Sequence, residues 1–191
     1  MHAVSKMNVQ RDVRVLGAAW NKTYKGYFGN KKNMHAFIET IIPYLPQKKV
    51  FSILYAASAS GLLGEKLVQR LRKRRVKAKL TLMDVSKEHL AQNKNPATKK
   101  VRADLLVLKW KKKFDVILMR SSLDYFPRAS LQVKVLHALH RALIHGGVFF
   151  NQAASMPTQT ERSLADRIYR SNSKIGQRHF QCKEDISSLY K

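Results

Sequence analysis

The sequence VFSILYAASASGLLGEKL, residues 50–67, decides the fold prediction for this chain. An apolar, β-branched run ends in a cluster of tiny residues, and an amphipathic pattern follows at once. That order predicts a strand, a tight turn and a helix. Tiny side chains at such a turn let a ligand lie close to the backbone, above the first amides of the helix. The stretch therefore predicts a site for a nucleotide-like ligand.

Size and charge set the broad class of the protein. The chain has 191 residues, enough for one domain with a sizeable core. The formal net charge of +25 favours polyanionic partners such as nucleic acid, although a solvated basic surface explains it equally well. The single cysteine, Cys182, excludes an intramolecular disulfide and suits a reducing compartment, so we expect a cytoplasmic protein. No stretch is long and apolar enough to predict membrane insertion.

Hydrophobic periodicity predicts alternating strands and helices along the chain. The predicted strands are Val50–Ala56, Leu80–Val85, Val101–Ala103, Phe114–Met119 and Val148–Ala153. The predicted helices are Met34–Leu45, Gly61–Arg72, Lys87–Asn93, Ser130–Ile144, Thr160–Ser171 and Glu184–Tyr190. This alternation predicts an α/β fold with a mostly parallel sheet. We expect an N-terminal helical cap over residues 1–45 and one ligand-binding domain over residues 46–191.

Acidic residues fall at the ends of the predicted strands. Asp84 closes the second strand, and Asp104 follows the third. Ligands of doubly wound sheets bind at the carboxyl ends of strands, where Asp84 is placed to accept hydrogen bonds from two ribose hydroxyls. The alternatives are a helix N-terminal acid for Asp84 and a turn-forming aspartate for Asp104. Asp115 opens the fourth strand at the opposite edge, so we expect a structural role for it.

Five motifs in order resemble those of class I S-adenosylmethionine-dependent methyltransferases, between about residues 34 and 190. LYAASASG (54–61) is similar to the first motif of that family, LMDVS (82–86) to the second and RADL (102–105) to the third. FDVILMRSSLDYFP (114–127) is similar to the fourth, and LHRALIHGGVF (139–149) to the turn before the fifth strand. The fourth and fifth motifs most resemble those of methyltransferases of small molecules, such as the methyltransferases of quinone biosynthesis.

The resemblance implies a fold, a cofactor and a set of binding residues. The implied fold is a doubly wound, Rossmann-like sheet of strand order 3-2-1-4-5 with helices on both faces. The implied cofactor is S-adenosylmethionine, with S-adenosylhomocysteine as product; the second-motif acid would hold the ribose and the third-motif acid would face the adenine amino group. The predicted cofactor-binding residues are Tyr55, Ala57, Ser58, Ala59, Ser60, Gly61, Asp84, Val85, Asp104, Leu105, Arg120 and Ser121.

Two positions depart from the family pattern and leave a non-catalytic binding protein as an alternative. Tyr55 replaces the first-motif acid, and Ala59 replaces a glycine that usually approaches the ribose. A methyl group at position 59 would crowd the ligand or require a backbone compatible with a Cβ. Asp124 and Tyr125 are the candidate general bases, with loop capping and packing as the alternative. We predict no metal site.

The acceptor class is predicted from the motifs and from the distribution of charge. We expect a small-molecule substrate, with an RNA methyltransferase as the alternative that the net charge suggests. The densest basic runs, residues 70–79 and 109–113, lead into strands and so should lie at the edge opposite the ligand. The family's sixth and seventh strands have no counterpart in the sequence. An apolar fifth-strand edge would then be uncovered, so we expect either a truncated form or a homodimer through that edge.

Overall fold

The structure is a computed structural model that describes residues 29–126, 128–153, 155–156 and 181–182. Its helices are α1 (Lys31–Ile41), α2 (Leu62–Lys73), α3 (Lys87–Ala91) and α4 (Ala129–Ala142). Its strands are β1 (Val50–Ala56), β2 (Lys77–Asp84), β3 (Lys99–Arg102), β4 (Phe114–Arg120), β5 (Leu143–Gln152), β6 (Ser155–Met156) and β7 (Gln181–Cys182). The helices predicted at Thr160–Ser171 and Glu184–Tyr190, and most of the predicted cap over residues 1–45, lie outside the described residues.

Five parallel strands form the main sheet, in the order β3-β2-β1-β4-β5. This confirms the predicted strand order 3-2-1-4-5. The two-residue strands β6 and β7 pair with each other in a separate parallel sheet. Within the described part of the chain, no strand pairs with the outer edge of β5.

Helices cover both faces of the sheet because successive side chains of a strand point to opposite sides. In β1, Leu54 and Ala56 join a core cluster that includes Val135 and Leu139 of α4. Residues Ile53 and Tyr55 join a second cluster formed with α1 and α2. Leu63, Leu67 and Leu71 lie along one side of α2 and are each at most 2% exposed, so they anchor that second cluster.

The junction between α4 and β5 corrects one prediction. The predicted helix Ser130–Ile144 is wrong at its end, because α4 stops at Ala142 and β5 begins at Leu143. Gly146 and Gly147, which follow the predicted helix, lie within β5, where its register with β4 shifts between the pairs Phe114–Leu143 and Val116–Val148. Gly146, with φ of 71°, supplies the left-handed residue for this irregularity. His145 is therefore an exposed residue of β5.

The remaining boundaries differ by a few residues. Strand β2 begins at Lys77, three residues before its predicted start, and β3 covers Lys99–Arg102. Helix α1 ends at Ile41, and Pro43 lies in a 3₁₀ turn at Ile42–Tyr44, where its missing N–H costs no helical hydrogen bond. None of the helices described is both long and apolar enough to span a lipid bilayer.

Candidate functional site

The turn between β1 and α2, residues 57–61, has a backbone conformation that favours glycine. Ala57, Ala59 and Gly61 have φ angles of 49°, 48° and 78°. An L-residue other than glycine in this left-handed region costs about 1–2 kcal/mol. Ala59 has therefore kept the glycine-type backbone and carries a methyl group on it. Both alanines are half-buried, whereas Ser58 and Ser60 are 3% and 5% exposed.

Gly61 is fixed by packing as well as by its backbone. A Cβ at this position would collide with the side chain of Leu82 on β2. Its carbonyl oxygen accepts the first backbone hydrogen bond of α2, from the Glu65 N–H at 3.0 Å. The turn therefore lies directly against the end of β2, with the start of α2 above it.

Asp84 joins the turn to the end of β2. Its Oδ2 accepts a hydrogen bond from the Ala59 N–H at 2.8 Å, and its Oδ1 accepts one from the Ser86 N–H at 2.9 Å. The Ser58 N–H donates to the carbonyl oxygen of Met83 at 2.9 Å, which adds a second link between turn and strand. The Val85 N–H also hydrogen-bonds this carboxylate. A carboxylate has about four lone-pair sites, so it keeps capacity for a further donor such as a hydroxyl group.

Burial dominates the electrostatics of Asp84. The residue is 7% exposed, and this burial raises the pKa of its carboxyl group, while the hydrogen bond from Ser86 and the charge of His89 work in the opposite direction. The Nδ1 atom of His89 lies 3.9 Å from Oδ1 of Asp84. Sequence reasoning missed His89, because a histidine on a short helix carries no signal of its own.

Asp104 lies on the neighbouring strand end. Its Oδ1 accepts a hydrogen bond from the Leu106 N–H at 2.9 Å and so caps the 3₁₀ turn Leu105–Val107. The Ala103 N–H donates to the carbonyl oxygen of Asp84 at 3.0 Å, which places the two aspartates on adjacent chain segments. Of the other residues predicted here, Val85 is half-buried, and Leu105 is 5% exposed in the core beneath the site.

The end of β4 brings the remaining predicted residues to the same edge. Arg120 is buried; its Nε donates to Oε1 of Gln152 at 2.5 Å, and its guanidinium lies 5.7 Å from the ring centre of Phe37. Ser121 follows with a φ of 48°, and its N–H donates to the Gln152 carbonyl at 2.7 Å. Such strained residues occur often at functional sites.

Asp124 and Tyr125 lie in a 3₁₀ turn, Leu123–Tyr125, that one buried glutamine supports. Asp124 is 7% exposed and Tyr125 is half-buried. The Nε2 of Gln132 on α4 donates to the carbonyl oxygens of Leu123 at 3.4 Å and Phe126 at 3.0 Å. Sequence reasoning missed Gln132; a polar residue on the buried side of α4 is the signal that could have found it.

Packing explains why a tyrosine stands at position 55, where the family pattern has an acid. Its side chain is 7% exposed within the core cluster of α1 and α2, and Gly64 approaches its ring so closely that an added Cβ would lie 3.2 Å from Cδ1. A carboxylate in that apolar cluster would bear a desolvation cost. The ring of Tyr55 therefore packs under α2, while the backbone of this residue leads into the turn.

A second set of polar residues, also missed from sequence, holds the turn from the other side. Asn93 is buried, and its Nδ2 donates to the Ser60 carbonyl oxygen at 3.4 Å and to Oε1 of Glu65 at 2.9 Å. Thr98 and Asn95 donate to the same carboxylate, at 2.6 and 2.9 Å. Partial burial of Glu65 opposes its ionisation, but these hydrogen bonds outweigh it and lower the pKa of Glu65. The network fixes the loop after α3 against the turn.

Comparison with protein families agrees with this geometry. Residues 59–151 match the family model described as a methyltransferase domain. The matched span begins in the turn at Ala59 and ends in β5, so it contains Asp84, Asp104 and the end of β4. Among curated proteins, none matches the chain.

Solved structures share the fold at low sequence identity. The YcgJ protein from Bacillus subtilis has a TM-score of 0.65 and 12% identity, covering 82% of this chain and 66% of its own. The CurJ carbon methyltransferase has a TM-score of 0.66 and 13% identity, and the match covers 94% of this chain and 52% of CurJ. The sugar N-methyltransferase KedS8 from a Streptoalloteichus species has a TM-score of 0.54 and 19% identity, and the match covers 73% of this chain and 53% of KedS8. The chain thus spans about half to two thirds of these proteins.

These findings establish the class of the domain. The methyltransferase-domain match over residues 59–151 and the fold shared with solved methyltransferases confirm the resemblance to class I, S-adenosylmethionine-dependent methyltransferases that the motifs show. The domain implies S-adenosylmethionine as the cofactor. The residues present fit that group, since the turn keeps its glycine-type backbone and Asp84 offers acceptors at the end of β2.

Proposed function

We propose that the protein is a methyltransferase that uses S-adenosylmethionine to methylate a small-molecule acceptor. The observation that carries the proposal is the direct hydrogen bond between the Ala59 N–H and Asp84, which joins the turn to the acid at the end of β2. This arrangement combines a close backbone approach with a buried carboxylate, at the edge where ligands of such sheets bind.

Each predicted residue except Tyr55, whose ring packs under α2, has a proposed part in holding the cofactor. Asp84 accepts hydrogen bonds from the ribose hydroxyls, and such charge-assisted bonds are the stronger ones. Asp104 faces the adenine amino group, and Leu105 and Val85 supply apolar contacts to the base. The turn from Ala57 to Gly61 lies against the amino-acid part of the cofactor, with Arg120 and Ser121 at the neighbouring strand end.

Orientation is the main contribution that the protein must make to the reaction. S-adenosylmethionine carries its methyl group on a sulfonium, which is already a good leaving group. Holding donor and acceptor in line supplies on the order of 7–11 kcal/mol in favourable cases. Gln132 donates hydrogen bonds to the Leu123 and Phe126 carbonyls and so holds the 3₁₀ turn that carries Asp124 and Tyr125. Asp124 or Tyr125 would accept a proton where the acceptor holds one at neutral pH.

The small-molecule assignment rests on the fourth and fifth motifs, and the alternatives rest on other features. Similar structures include proteins described as sugar N- and carbon methyltransferases, so the fold itself serves several acceptors. A non-catalytic binding protein is the alternative that the substitutions at Tyr55 and Ala59 suggest.

Calorimetry followed by a transfer assay tests the proposal. S-adenosylhomocysteine should bind the full chain with measurable heat, and radiolabel from S-adenosylmethionine should appear in a small-molecule acceptor panel but not in RNA. Binding without transfer to any acceptor would favour the non-catalytic alternative. Absence of heat at millimolar S-adenosylhomocysteine would contradict the enzyme proposal, and label in RNA would replace the small-molecule assignment.

A further inference from the structure

The starts of four neighbouring strands carry a concentration of exposed positive charge. The backbone segments entering β1, β2, β4 and β5 are hydrogen-bonded to one another: Lys77 N–H to the Lys49 carbonyl at 2.9 Å and Lys112 N–H to the Arg141 carbonyl at 2.9 Å. The Ser52 N–H and hydroxyl donate to Oδ2 of Asp115 at 2.8 and 2.6 Å, which joins the two middle strands, β1 and β4. We call this surface the basic edge, and its exposed members are Lys48, Lys49, Arg74, Arg75, Lys77, Lys111, Lys112, Lys113 and Arg141.

Few of the described acids offset the positive charge of the basic edge. Among the described residues, one of its nine cations forms an ion pair, Lys48 with Asp115, and the charge of Arg74 acts on Glu39. The other described acids lie at the opposite edge or, for Glu39, pair with Arg70 on the helical face. Neighbouring strands are about 4.8 Å apart, so four strand starts span about 15 Å. Neighbouring strand starts therefore lie within one Debye length of each other, about 8 Å, so charges on adjacent strand starts reinforce one another.

Two of these cations occupy positions where glycine would be easier to accommodate. Arg75 and Lys112 have φ angles of 60° and 41°, in the left-handed region. Glycine adopts that region without steric cost, whereas long side chains strain the backbone. Local stability therefore gives no reason for an arginine and a lysine there, while a contribution to surface charge does.

We propose that the basic edge binds the phosphodiester backbone of a nucleic acid. A strand of DNA carries one phosphate per about 3.4 Å of axis, so a span of this width meets several phosphates at once. An exposed aromatic residue precedes these cations in the chain: Tyr44, four residues before Lys48, is 69% exposed and so is available to stack on a base. A membrane-surface site of the amphipathic type needs a continuous apolar face. In the described structure the large hydrophobic residues exposed beside this edge are Tyr44 and Val50, and two residues do not form such a face.

The location of the basic edge separates it from methyl transfer. The cofactor residues follow the carboxyl ends of the strands, whereas the basic edge precedes their amino ends. A nucleic acid held there does not present an atom to the methyl donor. The bound strand is therefore a tether or a localising partner, and this inference holds whether or not the opposite edge is catalytically active.

Binding of a fluorescein-labelled single-stranded RNA oligonucleotide, measured by anisotropy at several salt concentrations, tests the proposal. The edge variant is Arg75→Gly with Lys112→Gly. The matched control, Lys94→Ala with Lys134→Ala, removes the same charge from exposed positions elsewhere. We expect the edge variant to bind RNA more weakly, with a slope of log K against log salt reduced by about 1.4, since each phosphate contact contributes about 0.7 for single strands. The control should keep a slope close to that of the parent protein.

Thermal melting separates binding from folding, because glycine at left-handed positions should leave the melting temperature unchanged or raise it. If the edge variant melts at a lower temperature, the double variant Lys49→Gln with Lys77→Gln replaces it, and we expect the same loss of RNA affinity and the same reduction in salt slope. S-adenosylhomocysteine should leave RNA affinity unchanged. Equal losses in edge and control variants, or edge-dependent binding to phosphatidylserine vesicles without RNA binding, would overturn the proposal.

Discussion

The two edges of the central sheet differ in how they use charge. At the carboxyl edge, Asp84 and Asp124 are buried, and the carboxylate of Asp84 is bound by backbone N–H groups. At the amino edge the cations are exposed, and Asp115 neutralises one of them while it also accepts hydrogen bonds from Ser52. Buried charges need defined partners, whereas exposed charges act through their summed field. The first edge therefore suits one specific ligand, and the second suits an extended polyanion.

The largest expected effect is on folding at the cofactor turn. Gly61→Ala should lower the free energy of unfolding by about 2–4 kcal/mol, because its Cβ meets Leu82 and its φ is positive. Gly146→Ala is the control: it has a similar φ but no atom within 4 Å, so its cost should be about 1–2 kcal/mol. Urea denaturation measures both. Equal losses would show that the turn does not pack tightly against β2.

The next effect is on cofactor affinity. Asp84→Ala should weaken S-adenosylhomocysteine binding by about 1.5–3 kcal/mol, since hydrogen bonds to a charged group are lost. Asp115→Ala removes an aspartate from the opposite edge and should leave this affinity unchanged, although it should lower stability. Calorimetry of folded variants gives both values. Unchanged affinity in Asp84→Ala would remove this residue from the cofactor site.

A smaller effect concerns the pH dependence of stability at the carboxyl edge. The pKa of Glu65 in the folded protein lies below its usual value near 4.5, so its network contributes stability above that value and loses it as pH falls through the folded pKa. Glu65→Gln should reduce stability at pH 7 by about 1 kcal/mol and flatten this acid dependence. Urea midpoints from pH 3 to 7 measure it. An acid dependence as steep in the variant as in the parent protein would assign the effect elsewhere.

The smallest effect concerns the alanine at the turn. Ala59→Gly removes left-handed strain of about 1–2 kcal/mol but adds chain entropy to the unfolded state, so stability should rise by about 0.5 kcal/mol. Cofactor affinity should hold or increase, because no methyl group faces the ligand. Ser58→Gly, whose φ is not positive, should instead destabilise. A loss of stability in Ala59→Gly would mean that position 59 does not need a glycine-type backbone.

Features set by local pattern were predicted well from sequence. The alternation of strands and helices, the turn after β1 and the position of Asp84 follow from hydrophobic periodicity, and the strand order follows from the resemblance to a known family. The predicted boundary between α4 and β5 was wrong because a pair of glycines can end a helix or interrupt a strand. Only the pairing with β4 decides between the two. The supports from Asn93, Gln132 and His89 depend on contacts between distant segments, so no local pattern identifies them.

Hydrogen exchange followed by mass spectrometry tests the division between the two edges most directly. The account predicts that S-adenosylhomocysteine protects backbone amides in residues 57–61 and 84–86, and that RNA protects amides in residues 74–77 and 111–113. The two ligands together should give the sum of both patterns. Protection of residues 74–77 by S-adenosylhomocysteine, or its failure to protect residues 57–61 at saturation, would contradict the account.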